Sequence, residues 1–272
     1  MALGSSKPVC YYQFENNAND TSNAGNGMNG TLQAPGTFST AEKIRGSYSY
    51  LGTRTGGASS IHSCGAVGDI AFIHSGVFTI SWWSKRTSAG TTGYVMGTDA
   101  GSGGRDWFVG YMGSTLRFKR YYGSPSDVNY NSSATAACTD TDWHHVVIAC
   151  DASTLKYYVD GSLVNSVAST GWSGAYNPTY KLMLGTMPDA GDADEFGTGF
   201  RGYLDEFSLW DVTATADDAA SLYNGGSPYD LSDGLQGGLP SGIKDVGGVS
   251  GDSVKMVGGI EVANIKTIMG IS

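Results

Sequence analysis

The sequence predicts an all-β protein, a two-sheet antiparallel jelly-roll sandwich, over residues 8–229. Glycine accounts for 41 of the 272 residues, about twice its usual share, and charged residues make up only 15%. Short apolar or aromatic runs recur along this part of the chain between Gly, Asn, Asp, Ser and Pro, which is the pattern of short strands joined by tight turns. The 40% apolar content is enough to build a buried core.

Ten such runs predict strands at the spacing typical of a sandwich. Asp160-Gly161 predicts a tight hairpin turn inside one of them. The runs are residues 8–14, 47–51, 76–86, 93–98, 106–112, 115–122, 143–151, 155–164, 180–186 and 202–211.

One segment, Thr213–Tyr223, predicts a short helix, because it has a threonine cap, acids in its first turn and Asn224-Gly225 after its end. We expect its apolar side to lie on the edge of the sandwich.

The chain changes character after Tyr229. A Gly-rich linker (230–242) precedes three repeats that start at Ile243, Val254 and Ile265, 11 residues apart. Each repeat reads β-branched, Lys, any, β-branched, any, Gly, β-branched, and this composition disfavours a helix. We expect three short strands with Gly turns over 243–272, which dock onto a partner or pack with copies of themselves, because each is too small to bury its own apolar side. The alternative is an unstructured tail.

The net charge of −9 argues against binding to nucleic acid or to an anionic membrane. Arg117, Lys119 and Arg120 are expected on a solvated strand face. No apolar stretch is long enough to span a membrane, and the N-terminus lacks a basic segment followed by an apolar one, so we expect no membrane segment and no signal peptide.

The four cysteines fit no zinc-binding spacing. Cys10 and Cys150 lie in apolar runs and are expected to be buried. A Cys64–Cys138 disulfide is one pairing that the spacing allows.

Five motifs, in order, resemble those of laminin-G-like, concanavalin A-like lectin/glucanase domains. Their agreement across roughly 220 residues supports the jelly-roll prediction, and the repeats after 242 lie outside the resemblance. The motifs are the Gly/Asn loop of 14–32, F-T-I-S-W-W from Phe78, W-H-H-V from Trp143, Y-V-D-G from Tyr158 and G-Y-L-D-E-F-S-L-W from Gly202, which is followed by the helix of 213–226.

The resemblance implies a structural Ca²⁺ ion that ties the first loop to the last strand. The matching residues are Asp20 and Asp205, and backbone carbonyls of 23–30 could complete the oxygen shell. The alternatives are that Asp20 bonds its own turn and that Asp205 is satisfied by neighbouring amides. The acidic loop of 187–199 is a second candidate, although solvated acids are favoured there.

The resemblance does not imply catalysis here. A glycanase needs two carboxylates across a cleft, but Asp192 and Asp194 lie in a Gly-rich loop, and the adjacent Asp205 and Glu206 would point to opposite faces of a strand. The sequence therefore predicts a protein that is not an enzyme.

Sugar binding uses exposed aromatic rings, and we expect Trp107, Tyr111, Trp172 and Tyr176 to face a glycan, although burial in the core is an equal alternative for the two tryptophans. The core is the expected place of the remaining tryptophans, Trp82, Trp83, Trp143 and Trp210.

The sequence favours a non-enzymatic module of an assembled particle, such as a surface, decoration or fibre protein of a phage virion. An extracellular-type fold without an export signal, the Gly-rich composition and the repeats, which resemble the tails of phage structural proteins, support this expectation. Other virion proteins or further copies of the chain would then bind the repeats. A secreted lectin or adhesion domain, and a glycoside hydrolase, are the alternatives.

Overall fold

The computed structural model describes residues 3–4, 6–34, 36–53, 60–62, 67–99, 105–121, 128–134, 138–169, 172, 181–186, 199–235, 245–246, 249–250, 256–257 and 260–261. Its strands in chain order are β1 (Cys10–Tyr12), β2 (Thr31–Gln33), β3 (Thr37–Ser39), β4 (Ser49–Thr53), β5 (Ser60–His62), β6 (Val77–Arg86), β7 (Gly93–Asp99), β8 (Arg105–Met112), β9 (Thr115–Tyr121), β10 (Val128–Ala134), β11 (Trp143–Asp151), β12 (Thr154–Val159), β13 (Ser162–Ala168), β14 (Lys181–Leu184), β15 (Arg201–Trp210), β16 (Asp245–Val246), β17 (Val249–Ser250), β18 (Met256–Val257) and β19 (Ile260–Glu261).

Two antiparallel sheets pack face to face, which confirms the predicted sandwich. Within the described residues, the first sheet has the order β13-β12-β11-β6-β15-β4-β3, with β1 also paired to β15. The second sheet has the order β10-β9-β8-β7-β14-β5-β2. The main core between them contains inward-facing residues from both sheets, including Phe78, Ile80 and Trp82 of β6 and Val109 and Phe118 of β8 and β9.

Strand β15 lies at the centre of the first sheet. It pairs with β6 on one side, and on the other side it pairs first with β4 and then with β1. The register against β6 shifts between Asp205 and Ser208, and Glu206 there has a φ of 49°, as expected at a β-bulge. The change of partner from β4 to β1 falls at this bulge.

A second apolar cluster covers the outer face of the first sheet. The helix α1 (Ala216–Tyr223) packs Ala219 and Leu222 there, against Trp210 of β15 and Val147 of β11. Thr215 caps the helix through a reciprocal pair of hydrogen bonds with Asp218. The helix therefore lies over a sheet face and not at the sandwich edge, because it shields apolar side chains of β11, β12 and β15 that would otherwise meet water.

The packed unit extends past both predicted boundaries. Leu3 precedes residue 8 and Leu231 and Leu235 follow residue 229, yet all three are buried in the cluster beneath the helix. Their apolar side chains complete the cover that the eight-residue helix is too short to provide.

All ten predicted runs contain strands, and Asp160-Gly161 forms the predicted turn between β12 and β13. Sequence reasoning missed β2, β3, β5 and β10, which are short or rich in polar residues. It also missed a 3-10 helix at Val67–Ser75. No helix in the described part of the chain is long and apolar enough to cross a membrane.

Most expectations for buried side chains are confirmed. Trp82, Trp83 and Trp210 are in the core, but Trp143 is only partly buried at the start of β11. Cys10, Cys138 and Cys150 are buried thiols. The Cys64–Cys138 disulfide is therefore absent, and Cys64 itself lies outside the described residues.

Gly202 provides a test of the packing around β15. Its φ is 142°, and a Cβ atom at this position would lie 2.1 Å from the carbonyl oxygen of Lys85 on β6. We expect Gly202→Ala to lower the free energy of unfolding by about 2 kcal/mol or more, through backbone strain and the clash. The matched control is Gly90→Ala, where a Cβ would meet nothing within 4 Å. Equal unfolding free energies in urea for the two variants would contradict this account.

Candidate functional site

The structure buries two of the four predicted ligand-facing residues. Trp107 and Tyr111 are each 1% exposed. Both lie on β8, where alternate residues point into the sandwich, and Trp107 stacks on Phe118 with ring centroids 6.2 Å apart. The Gly-rich loop before Trp107 suggested that its side chain would be exposed. Successive side chains of a strand point to opposite faces, however, and the position of Trp107 in β8 directs its side chain inward. The prediction that these two residues face a ligand is wrong.

Trp172 lies where the core meets the surface. It was predicted to be exposed on a loop, but it is only partly exposed. Its ring packs edge-on against Phe78 at 5.5 Å and lies 6.0 Å from Phe118. Its indole N–H donates to the Ser169 hydroxyl. The fourth predicted residue, Tyr176, lies outside the described residues.

Gly76 makes room for the Trp172 ring. Its φ is 77°, and a Cβ atom there would lie 2.4 Å from Cγ of Trp172. Only glycine combines this backbone conformation with so close an approach. The turn before β6 is therefore shaped around the tryptophan.

Arg120 is the feature of this site that sequence reasoning missed. Its side chain was expected on a solvated strand face, but it is 2% exposed. Arg120 lies opposite Trp107 in the β8–β9 ladder and shares its inward direction, whereas Arg117 and Lys119 are only partly buried. The inward direction of Trp107 was the signal that could have revealed the burial of Arg120, because residues paired across two strands point to the same face of the sheet.

The Arg120 guanidinium joins the aromatic rings. Its central carbon lies 4.9 Å from the centroid of the Trp172 ring, within cation–π range. Its Nη2 atom lies 3.3 Å from Nδ1 of His74. We call Trp172, Arg120, His74 and Phe118 the Trp172 cluster.

The Trp172 cluster lies at one end of the sandwich. At this end, Asp99 of β7 pairs with Arg105 of β8 and with Lys181 of β14. Tyr121 of β9 pairs there with Val128 of β10. Trp107 and Arg120, which are paired with each other, lie close to these strand ends. Connections between strands at one end of a rigid sandwich are common places for binding residues. A partly exposed tryptophan near a partly exposed imidazole offers stacking and polar contacts, as sugar recognition requires, while the buried Arg120 holds the tryptophan ring in place.

The carboxylates predicted as metal ligands are bonded to backbone amides. Asp20 accepts hydrogen bonds from the N–H groups of Tyr11, Ser22 and Met28, at 3.0, 2.9 and 3.1 Å. Asp20 therefore holds the first loop against β1. This agrees with the alternative prediction that Asp20 bonds its own turn.

Asp205 is fully buried at the β15 bulge. It accepts from the N–H groups of Ile44 at 3.0 Å, Arg45 at 3.4 Å and Glu206 at 3.0 Å. Burial and the charge of Glu206 raise the pKa of Asp205 to about 8. A carboxyl group whose two oxygens already accept three backbone N–H groups inside the protein does not fit a Ca²⁺ ligand.

Among the residues that the structure describes, no three His, Cys, Asp or Glu side chains form a group that could hold a metal ion. The Ca²⁺ site at Asp20 and Asp205 stays a prediction that these surroundings do not support. The acidic loop residues Asp189, Asp192, Asp194 and Glu195 lie outside the described part of the chain.

Glu206 completes a buried polar junction at the bulge. It accepts from the Tyr11 hydroxyl and from Nη1 of Arg45 at 3.3 Å, and Arg45 also binds Asp230 at 3.0 Å. Burial raises the pKa of Glu206 to about 7, although Tyr11 and Arg45 both favour its charged form. These contacts join β1, the segment before β4 and the chain after α1. The two acids are thus structural and do not flank an open cleft.

Several solved structures share the fold of this chain. The binding domain of botulinum neurotoxin DC in complex with rat synaptotagmin II has a TM-score of 0.59 at 11% identity, over 86% of this chain and 54% of that one. A structure of botulinum neurotoxin type C, whose cell entry depends on two ganglioside molecules, has a TM-score of 0.58 at 15% identity, over 81% and 51%. The binding domain of neurotoxin DC in complex with SialylT has a TM-score of 0.57 at 13% identity, over 83% and 52%.

The chain spans about half the length of these structures, and identities this low show a shared fold alone. Residues 65–220 match the family model of the concanavalin A-like lectin/glucanases superfamily, laminin G type. The chain belongs to this family. A search of curated proteins gives no significant match.

The pKa of Glu206 leads to a pH prediction. Its pKa is higher in the folded protein than its usual 4.5, so between about pH 4.5 and 7 the folded state holds a proton that the unfolded chain has released. The free energy of unfolding should therefore fall as pH rises through this window, and Asp205 acts in the same direction.

We expect Glu206→Gln to reduce the fall between pH 5 and 7.5 by about 2 kcal/mol, measured by urea unfolding at both pH values. Two histidines also have shifted pKa values: hydrogen bonds to Asp160 and Asp140 raise the pKa of His144 to about 9, and burial lowers the pKa of His145 to about 3. Both shifts are common to the variant and the unsubstituted protein and cancel in the comparison. Parallel pH dependence of the variant and the unsubstituted protein would contradict the raised pKa.

Calcium dependence is tested by thermal unfolding in EDTA and in millimolar CaCl₂. The amide bonds to Asp20 and Asp205 lead us to expect the same Tm in both. An increase of several degrees in calcium, lost in Asp20→Asn, would establish the ion at the first loop.

Proposed function

We propose that this protein is a non-enzymatic glycan-binding module on the surface of an assembled particle, a virion, and that it binds glycans at the Trp172 cluster. The observation that carries the proposal is the arrangement of Trp172. Trp172 is partly exposed, and its ring packs against Phe78 and Phe118 and lies beside the buried Arg120. A ring held in this way can stack on a sugar without losing conformational freedom.

The character of the fold supports the proposal. The chain has the lectin-like fold of carbohydrate- and receptor-binding domains, and its structural neighbours include toxin binding domains in complex with SialylT and with a protein receptor. The adjacent carboxylates that the sequence offered as a glycanase pair, Asp205 and Glu206, lie in the buried junction at the β15 bulge and not across an open cleft. Binding without hydrolysis is the simplest function for this site.

The place of the module on a virion rests on sequence. The composition is Gly-rich and charge-poor, and the 11-residue repeats resemble the tails of phage structural proteins. Detection of the chain in purified particles by mass spectrometry, and its loss when residues 243–272 are deleted, would test this role.

Binding at the Trp172 cluster is tested by substitution. We expect Trp172→Ala to weaken binding to the best ligand from a printed glycan array about five-fold, because stacking of this kind contributes about 1 kcal/mol. Trp172→Phe should show a smaller loss. The control is Trp143→Ala, which removes another partly exposed tryptophan at the start of β11.

Far-UV circular dichroism and Tm show whether each variant is folded. Unchanged affinity in folded Trp172→Ala would place binding elsewhere. Release of reducing sugar from any bound polysaccharide by the unsubstituted protein would contradict a non-enzymatic function.

A further inference from the structure

The 11-residue sequence repeat is also a structural repeat. Strand β16 pairs antiparallel with β17, with Val246 opposite Val249. Strand β18 pairs antiparallel with β19, with Val257 opposite Ile260. Every paired residue of the second hairpin lies 11 positions after its counterpart in the first, so each of these two repeats contributes one hairpin in the same register.

This arrangement corrects the expectation of one strand for each repeat. Each of the first two repeats makes two strands. The inner pairs, Val246 with Val249 and Val257 with Ile260, are separated by only two residues, which are Gly-Gly in both hairpins. Glycine pairs favour the tight two-residue hairpin turns whose twist suits antiparallel strands. The third repeat has the same pattern of β-branched residues at Ile268 and Ile271 but lies outside the described residues.

Neither hairpin completes a stable unit by itself. Each strand has two residues, and in the described part of the chain β16–β19 form two separate two-stranded sheets that do not join the sandwich. Isolated hairpins of ordinary length are marginal in water, and shorter ones are weaker. Both edges of each hairpin also carry backbone groups that can pair with another strand.

The regular interval indicates what those edges pair with. A partner without this repeat would match one hairpin and leave the others out of register. A second copy of the same tail presents the same β-branched pairs at the same 11-residue interval, so every hairpin finds an equivalent neighbour. Repeated small units are stable when they stack on identical neighbours.

We propose that residues 243–272 associate with the same residues of further copies of this chain, hairpin against hairpin in steps of 11 residues. This inference names the partner of the tail within the proposed function and rests on the assembly role given to the tail there. Association through the tail would present several Trp172 clusters together, and such multivalency can increase weak glycan binding by two or more orders of magnitude.

The register of the repeats makes the proposal testable with two deletions in the full chain. Deletion of residues 254–264 removes one whole repeat and leaves the remaining repeats in step. Deletion of residues 254–259 removes fewer residues but destroys one hairpin and shifts the third repeat relative to the first. The molar mass of each protein is measured by size-exclusion chromatography with light scattering at tens of micromolar.

We expect the molar mass of the full chain to be a whole-number multiple, two or more, of the mass of one chain. The 254–264 deletion should form an oligomer with the same number of chains. The 254–259 deletion and a chain truncated after residue 242 should be monomeric, with the circular dichroism and Tm of the sandwich unchanged. A monomeric full chain, an oligomer that survives truncation, or equal behaviour of the two internal deletions would overturn the proposal.

Glycan binding is measured separately on the truncated chain. A monomeric full chain that still binds glycan would overturn only this inference. Intact association without glycan binding would overturn only the proposed binding at the Trp172 cluster.

Discussion

The buried bulge in β15 is the constraint on which the first sheet depends. At this point the strand leaves β4 and begins to pair with β1, while its pairing with β6 resumes only after a shift in register. A change of partner leaves backbone amides at the junction without strand partners, and Asp205 accepts those of Ile44 and Arg45. Glu206 binds Tyr11 of β1 and Arg45, so two adjacent side chains fix three segments that are distant in sequence.

The junction also positions the candidate site. Strand β6 pairs with β15 along most of its length and starts at the turn formed by Gly76. That turn and Phe78, the second residue of β6, form the support for the Trp172 ring. A rigid central pair of strands therefore fixes an aromatic side chain that sequence alone would place on an unsupported loop.

Two buried arginines show how similar side chains serve different purposes. Arg86 stacks over Tyr111 at 4.5 Å and donates to the backbone carbonyl of Gly113 at 2.6 Å, so it holds a turn in place. Arg120 instead lies against the side chains of Trp172 and His74. Contacts to a partly exposed aromatic side chain leave it closer to a ligand than contacts to a buried backbone would.

The sequence by itself determined the class of fold, the ten main strands, the helix and the 11-residue period. Each of these depends on local patterns: alternation, turn residues, a capping threonine and a repeat. Tertiary structure decided the site. Trp107 and Tyr111 of β8 and Arg120 of β9 share one sheet face with Leu116 and Phe118, and the packing of the two sheets makes that face the interior. Tertiary structure also decided that the first two repeats each fold into a hairpin, because pairing between residues is a property of the folded backbone that the period alone does not specify.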